Sequence, residues 1–392
     1  MADLSGRLNI ELRRGQQGVE ATVSSSRPTA AARVFADKTV SETALSLPSL
    51  FSICSTAQAC ACASACEAAL GLSPSSSIIR LRCLLVDAET IKEHLWRILL
   101  DWPRFLDEPS QKDGMSKAMG TFLRLRSQLT RPTNPMRPGV DSLEPDIRAL
   151  ADTLKAQSGL IQKLVLGIHP TDWLARMQSR EGLLAWAEGT DTAAARLLHQ
   201  VEARGWASLG GNPVTALPRL EAADLEPFLT DADADRFVAE PRWQSEPRES
   251  SPFTRQQFRT PVVALTRDLG NGLLPRLAAQ LLELALLQER LRTASVSLDE
   301  PAEPLAAATG KGVGIALVPA ARGLLVHRAE ITGNRIRHYR ILAPTEWNFH
   351  PQGVVARGLA ALPATDEETL KRQAALFVTA VDPCVDYHVT IS

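Results

Sequence analysis

The chain has 392 residues, 45% of them hydrophobic and 22% charged, and a formal net charge of −1 at neutral pH. It is long enough for one large or two ordinary domains with a sizeable core. It has no long Lys/Arg block to mark a nucleic-acid or anionic-membrane partner, and no apolar run long enough to cross a bilayer. Met1 to Gly6 carry neither the basic region nor the apolar stretch of a signal peptide, so a cytoplasmic location is expected. There are six cysteines, Cys54, Cys60, Cys62, Cys66, Cys83 and Cys384, which such a compartment keeps as thiols.

Residues 6–24 read as a β-hairpin. Leu8 to Leu12 alternates, Gly15 to Gly18 turns, and Val19 to Val23 returns; Ser24 to Thr29 is a loop. Ser52 to Leu72 is rich in Ala, Cys and Leu and free of Pro, which predicts a helix. Cys54 stands at its head, and Gln58, Cys62 and Cys66 form one stripe along it. Ser73 to Ser77 ends that helix. The next has an apolar face of Leu84, Ala88, Ile91, Leu95, Ile98 and Leu99. Its opposite face carries Asp87, Thr90, His94, Arg97 and Asp101, and Trp102-Pro103 stops it.

Residues 104–270 are less regular. Helical patterns fall around Lys117–Leu129, Leu143–Leu166 and Arg180–Ala203, separated by Pro-rich joints. Ser245 to Pro252 reads as an exposed loop. A strong helix returns over 272–292. After the Gly-rich link Gly310–Gly314, two alternating runs, 324–330 and 335–341, flank Gly333-Asn334 and predict a hairpin. A last helix starts at Thr365, where Thr365-Asp366-Glu367-Glu368 has capping-box form. It runs to about Phe377 and delivers the chain to Asp382-Pro383-Cys384.

On their own, these residues point to no chemistry with force. No CxxC pair is present, and structural zinc sites are built from such pairs. Cys60, Cys62, Cys66 and Cys83 read as small buried apolar residues. Cys54 and Cys384, at element ends, are equally placed as ligands or as plain thiols. His94 reads as a solvated or hydrogen-bonded side chain, and His388 is equally placed as a neighbour of Cys384 or as a mobile terminal residue. Gly310–Gly314 lacks the ending of a phosphate loop, and Asp231 to Asp235 reads as a solvated acidic turn rather than a calcium loop.

Several segments, taken in order, carry a resemblance. Pro344-Thr345-Glu346-Trp347-Asn348-Phe349-His350-Pro351 is close to the P-T-x-W-N-x-x-P block of the nickel–iron hydrogenase large subunit. Arg322-Gly323-Leu324-Leu325-Val326-His327 resembles its P-R-G-x-L-x-H strand, with Ala321 where Pro is usual. Asp382-Pro383-Cys384 resembles the start of its D-P-C-x-x-C-x-x-H motif. Cys54-Ser55-Thr56-Ala57-Gln58-Ala59, followed by Glu67, resembles the second Cys of R-I-C-G-x-C-P-x-A-H-A and the helix after it. The helices Leu84–Trp102 and Leu273–Arg290 also have counterparts. The matches run from about residue 6 to 392.

The resemblance implies a single domain over residues 1–392: an α+β, mostly helical fold with a central helix bundle and small peripheral β-hairpins. Residues 6–24 form one hairpin, and 104–270 a diverged middle. The departures bear on function. Phe51 stands where the first Cys of the upstream motif is expected, Ser49 replaces its Arg, Gln58 its His, and Tyr387 the second C-terminal Cys. Of four metal-binding thiolates, only Cys54 and Cys384 remain. Family order puts Cys54 at a bridging position and Cys384 at a nickel-only one, unless the contracted tail moves Cys384 into the bridging role. Two thiolates under-coordinate nickel, whereas an iron already carrying cyanide and carbon monoxide needs few more ligands. Arg322 corresponds to the Arg beside the iron's cyanide, or else makes an ordinary salt bridge. Only Val389 to Ser392 follow His388, too few for the extension that a protease removes from hydrogenase precursors.

This pattern resembles the HupK/HoxV type of hydrogenase maturation protein. That implies a non-catalytic scaffold that transiently holds the iron–cyanide–carbonyl fragment, without nickel, through Cys54, Cys384 and Arg322. Its expected partners are a maturation chaperone and the hydrogenase large-subunit precursor. A divergent catalytic subunit, or a metal-free decoy for maturation factors, is the alternative.

Overall fold

The computed structural model of the protein describes residues 6–15, 18–142, 146–230, 232–294 and 302–392. The N-terminal hairpin is present as β1 (Leu8–Gly15) and β2 (Gly18–Ser25), paired antiparallel with Ile10 opposite Val23. Residues 1–5, and 16 and 17 within the expected turn, lie outside the described residues. A short helix, α1 (Val40–Leu50), then leads to the Ala/Cys-rich α2 (Ser55–Leu70), which Gly71 closes in a left-handed conformation.

Small side chains decide how α2 packs. Ala57, Cys60, Ala61, Cys62, Ala65 and Cys66 are fully buried, and their short reach lets a sheet lie almost on the helix backbone. That sheet has the order β3 (Ala306–Gly310), β4 (Val313–Ala320), β5 (Gly323–Thr332), β6 (Arg335–Leu342), antiparallel throughout. A Cβ on Gly314 would sit 2.2 Å from the Ala65 carbonyl oxygen. The Gly310–Gly314 stretch is thus neither a link nor a phosphate loop. It is the β3–β4 turn, and its last glycine lets strand and helix touch. The hairpin about Gly333-Asn334 forms as the alternation predicts.

The helix α3 (Ser76–Trp96) is central. Its apolar face is buried as expected, but so is its polar face: Asp87 and Thr90 are 4% exposed and His94 0%. That face meets the Leu273–Ala294 helix, where His94 Nε2 lies 2.8 Å from Glu283 Oε2 and Arg290 Nε donates to Asp87 at 2.5 Å. Buried polar groups need partners, so the two helices pair their polar residues in one internal seam. Arg255 adds two hydrogen bonds to Glu283, each 2.7 Å. Burial pushes the Glu283 carboxyl up, but Arg255 and His94 outweigh it and hold it well below its ordinary range. The α3 helix ends in a π-helical turn, Arg97–Asp101, before Trp102.

Elsewhere the structure corrects several expectations. The Leu143–Leu166 pattern is a helix over Ile147–Ile161 with a π turn to Leu166; its expected start, 143–145, lies outside the described residues, as does Asp231 of the acidic turn. The Arg180–Ala203 pattern splits into Arg180–Gly189 and Ala193–Ala203, because the Thr192 hydroxyl caps the second helix at Ala195 N. The 245–252 segment is exposed only at its start. Glu249, Ser250 and Ser251 are buried, with Glu249 accepting from Arg276 at 2.5 and 3.0 Å. Polarity suggested solvent; a buried ion pair decided otherwise. The last helix is Glu367–Val381, capped by Asp366 rather than Thr365, since the Asp366 carboxylate accepts from Thr369 N at 2.9 Å. The tail is not mobile but a strand, β7 (Tyr387–Ile391), which runs parallel to β1 and completes the order β2-β1-β7.

Replacing Gly314 with Val should cost about 3 kcal/mol through overpacking on α2, measured as a lower denaturation midpoint with an unchanged slope. Glu283→Gln should cost about 2 kcal/mol near neutral pH by leaving the half-buried Arg255 without its carboxylate partner. Because the folded carboxyl is depressed, its contribution is complete above its ordinary value of 4.5 and fades as pH falls toward the folded value. The gap between variant and wild type should therefore narrow in acid, as read by urea titration at several pH values.

Candidate functional site

Cys54 is the residue before the first turn of α2, and its carbonyl accepts from Gln58 N at 2.9 Å. No side chain of its own segment caps that helix. Instead Glu89 of α3 reaches across, and its two carboxylate oxygens accept from Thr56 N at 2.8 Å and Ala57 N at 2.9 Å. A carboxylate is favoured at that positive end. The half-buried Cys54 is thereby held where helix and turn meet. Burial pushes its thiol up; Arg322 pulls it back, while Glu89, Glu93 and Cys384 add to the rise.

Cys384 is placed by the two residues before it. Asp382 takes a positive φ of 66° and ends the terminal helix. Its buried carboxylate accepts from Arg97 of the π turn and lies 3.4 Å from Arg322 Nε. The Pro383 carbonyl accepts from Arg322 Nε at 3.2 Å and also from Arg97. Burial raises the Asp382 carboxyl, but Arg322 and then Arg97 outweigh it and hold it low.

Arg322 occupies the two-residue turn between β4 and β5. It is 3% exposed. Besides Pro383, it donates to Cys54 Sγ at 3.2 Å and to Glu93 Oε2 at 2.9 Å. The turn itself is tight: Gly323 has φ +140°, and a Cβ there would strike the Ser250 carbonyl oxygen at 2.0 Å. The two readings of Arg322, salt bridge or ligand-facing donor, are not exclusive, for it makes the salt bridge and touches the thiol together.

Three residues of the 344–348 block hold the site from the other side. Thr345 Oγ1 is 2.8 Å from Cys384 Sγ. Glu346 pairs with Arg27 at 3.1 Å. Asn348 Nδ2 donates to the Arg322 and Ser250 carbonyls at 3.2 and 2.7 Å. Arg27 in turn donates to Cys384 Sγ at 3.4 Å. Sequence reading missed Arg27, which falls in the segment taken for a loop. Its only signal is an Arg beside Pro28 after a strand, which is too weak to identify it.

Cys54 and Cys384 thus line one cavity of about 120 Å³ together with Arg27, Phe51, Gln58 and Arg322. On its far side Cys384 and Arg322 border a cleft of about 750 Å³, flanked by Lys92, Trp96, Arg97 and Lys371. Tyr387 does not enter the cavity. Its hydroxyl accepts from Arg104 at 2.7 Å and borders the cleft. His388 also stands there, exposed on β7. Cys60, Cys62 and Cys66 are buried in the core and Cys83 is half-buried, away from the cavity lining. Burial pushes Cys60 up to about 12 and Cys83 up to about 11, which favours the neutral thiol in both near neutral pH. Among the described residues no group of three or more His, Cys, Asp or Glu is placed to hold a metal ion. Two sulfurs suit a soft metal that brings most of its own ligands, and guanidinium donors suit an anionic group upon it.

No family model matches the chain. The hydrogenase expression/formation protein HoxV of Cupriavidus necator is 31% identical over 401 residues, covering 98% of this chain and 95% of that one. The hydrogenase expression/formation protein HupK of Azotobacter vinelandii is 28% identical over 393 residues, 99% of each chain. Among solved structures, an NAD+-reducing NiFe hydrogenase in the H2-reduced state aligns with a TM-score of 0.65 at 16% identity, over 94% of this chain and 92% of that one. The NiFeSe hydrogenase of Desulfomicrobium baculatum gives 0.65 at 14% identity, over 94% of each. At such identities the structural likeness is one of fold, that of the hydrogenase large subunit. The chain belongs to the HoxV/HupK/HupV family of hydrogenase expression/formation proteins, built on the fold of the NiFe hydrogenase large subunit.

Proposed function

We propose that the protein is a non-catalytic scaffold of hydrogenase maturation that transiently holds the iron–cyanide–carbonyl fragment as cargo for the large-subunit precursor. One observation carries this reading: two thiols from opposite ends of the chain, each met by a guanidinium, line one cavity. Cys54 and Cys384 would supply two thiolates. Arg322 stabilises the negative charge that forms on Cys54, and Arg27 does the same for Cys384. Burial favours the neutral Cys54 thiol over a free thiolate, so a thiolate released from the cargo would regain a proton. Phe51 gives the cavity an apolar wall where a hydrogenase would be expected to have a thiol. Nickel would find two thiolates here, too few for it.

The cleft beside Cys384 supports a handover. It gives the tail side of the site access to solvent, and Trp96, 43% exposed, and the exposed Lys371 stand on its rim. We assign that rim to the delivering maturation chaperone and the large-subunit precursor.

Protein purified from cells with the full maturation machinery should show cyanide and carbonyl infrared bands, with iron in excess of nickel in the same sample. Cys54→Ala and Cys384→Ala should each abolish the bands. Iron-free wild type, or hydrogen-dependent dye reduction by it, would overturn the scaffold. Trp96→Ala combined with Lys371→Glu should weaken chaperone binding about tenfold or more, since an exposed interface Trp commonly contributes at least ~2 kcal/mol. Calorimetry would measure this, with thermal melting to confirm an intact fold.

A further inference from the structure

The hydrogen bonds behind the cavity point to a use for Gln58 beyond its being a departure from the large-subunit pattern. Gln58 lines the cavity and is 6% exposed. Its Oε1 lies 2.8 Å from His327 Nε2, and His327 Nδ1 lies 2.8 Å from the Tyr339 hydroxyl. His327 is fully buried, and burial pushes its pKa down to about 3. The ring is therefore neutral, with one donor and one acceptor nitrogen. With Gln58 Oε1 accepting from Nε2–H, Nδ1 must accept from Tyr339, whose ring packs edge-on against the imidazole at 5.6 Å. The amide is thus held oxygen-inward. Its Nε2, with two N–H donors, has no hydrogen bond to any described residue. That nitrogen reaches the open space of the cavity rather than being sealed in the core, so an acceptor placed there would meet a donor with no competing protein partner.

We infer that Gln58 is a cargo-positioning residue whose amide N–H donates to the nitrogen of a cyanide ligand on the iron fragment; the inference rests on the scaffold reading above. Cyanide bound through carbon presents an anionic nitrogen, a good acceptor. Carbon monoxide presents a poor one. The amide therefore selects cyanide over carbonyl for the side of the cavity nearest α2, and it fixes the rotation of the fragment about the two sulfurs. Unlike an imidazole, an amide keeps this donor across the physiological pH range. Tyr339 and His327 act behind it, by fixing which end of the amide faces inward.

Two measurements test this. In ¹⁵N-histidine-labelled apoprotein, with the His327 signal assigned by its loss in His327→Gln, the Nε2–H tautomer is expected. The Nδ1–H tautomer would turn the Gln58 carbonyl toward the cavity and overturn the assignment without any loaded protein. In loaded protein, Gln58→Glu, which keeps the acceptor for His327, and Gln58→Leu should each shift one cyanide band while moving the carbonyl band less. Cyanide bands present but unmoved in both variants would overturn the role of Gln58 and leave the scaffold standing. Wild type with no cyanide band would overturn both.

Discussion

One buried cation sets the geometry of this site. The Arg322 guanidinium is almost wholly out of water, and an uncompensated charge there would cost several kcal/mol. The chain must therefore bring it acceptors, and four come from three places. Glu93 comes from α3, Asp382 and the Pro383 carbonyl from the tail, and Cys54 from the head of α2. Satisfying one side chain thus draws two helices, a hairpin turn and the C-terminal segment to a single point. The two thiols meet there because they stand next to residues that Arg322 needs.

A second layer keeps the first from relaxing. Arg97 is delivered by a π turn and binds the same Asp382-Pro383 pair, so the tail is held by two guanidinium groups. Asn348 and Ser250 fix the backbone of the Arg322 turn. Ser250 can do so only because the neighbouring Glu249–Arg276 pair buries a segment that looks hydrophilic. Strand β7 then pairs with β1, so the chain's two ends brace each other across the site. Most of these supports lie in the regions carrying the hydrogenase-like motifs, and the diverged middle contributes Glu249 and Ser250.

Two positions that differ from the large-subunit pattern have clear packing roles. Phe51 stands beside the cavity as an apolar wall. Tyr387 turns the other way, to Arg104 and Thr379. Its hydroxyl helps dock the tail on the terminal helix, where a cysteine would lack the reach. Both side chains thus serve the packing around the two thiols.

Much of this was legible in the residues. The Ala/Cys composition of α2, the apolar period of α3, and the alternation around Gly333-Asn334 each impose an element by local physics alone. Motif order marked Cys54, Arg322 and Cys384 as residues to watch. Other features were not local. The polar face of α3 looks solvated until the Leu273–Ala294 helix buries it with matching charges. Alternation over Tyr387–Ile391 became a strand only because β1 offers a free edge. Arg27 and Gln58 acquire meaning from what lies opposite them, Cys384 and Glu346 for one, His327 and the cavity for the other. The sequence by itself determined where the strongly periodic helices and hairpins form and which thiols stand at element ends, because propensity and period act between near neighbours. Only the tertiary structure decided that two cysteines 330 positions apart share a cavity, because satisfying a buried charge is a demand on the whole fold.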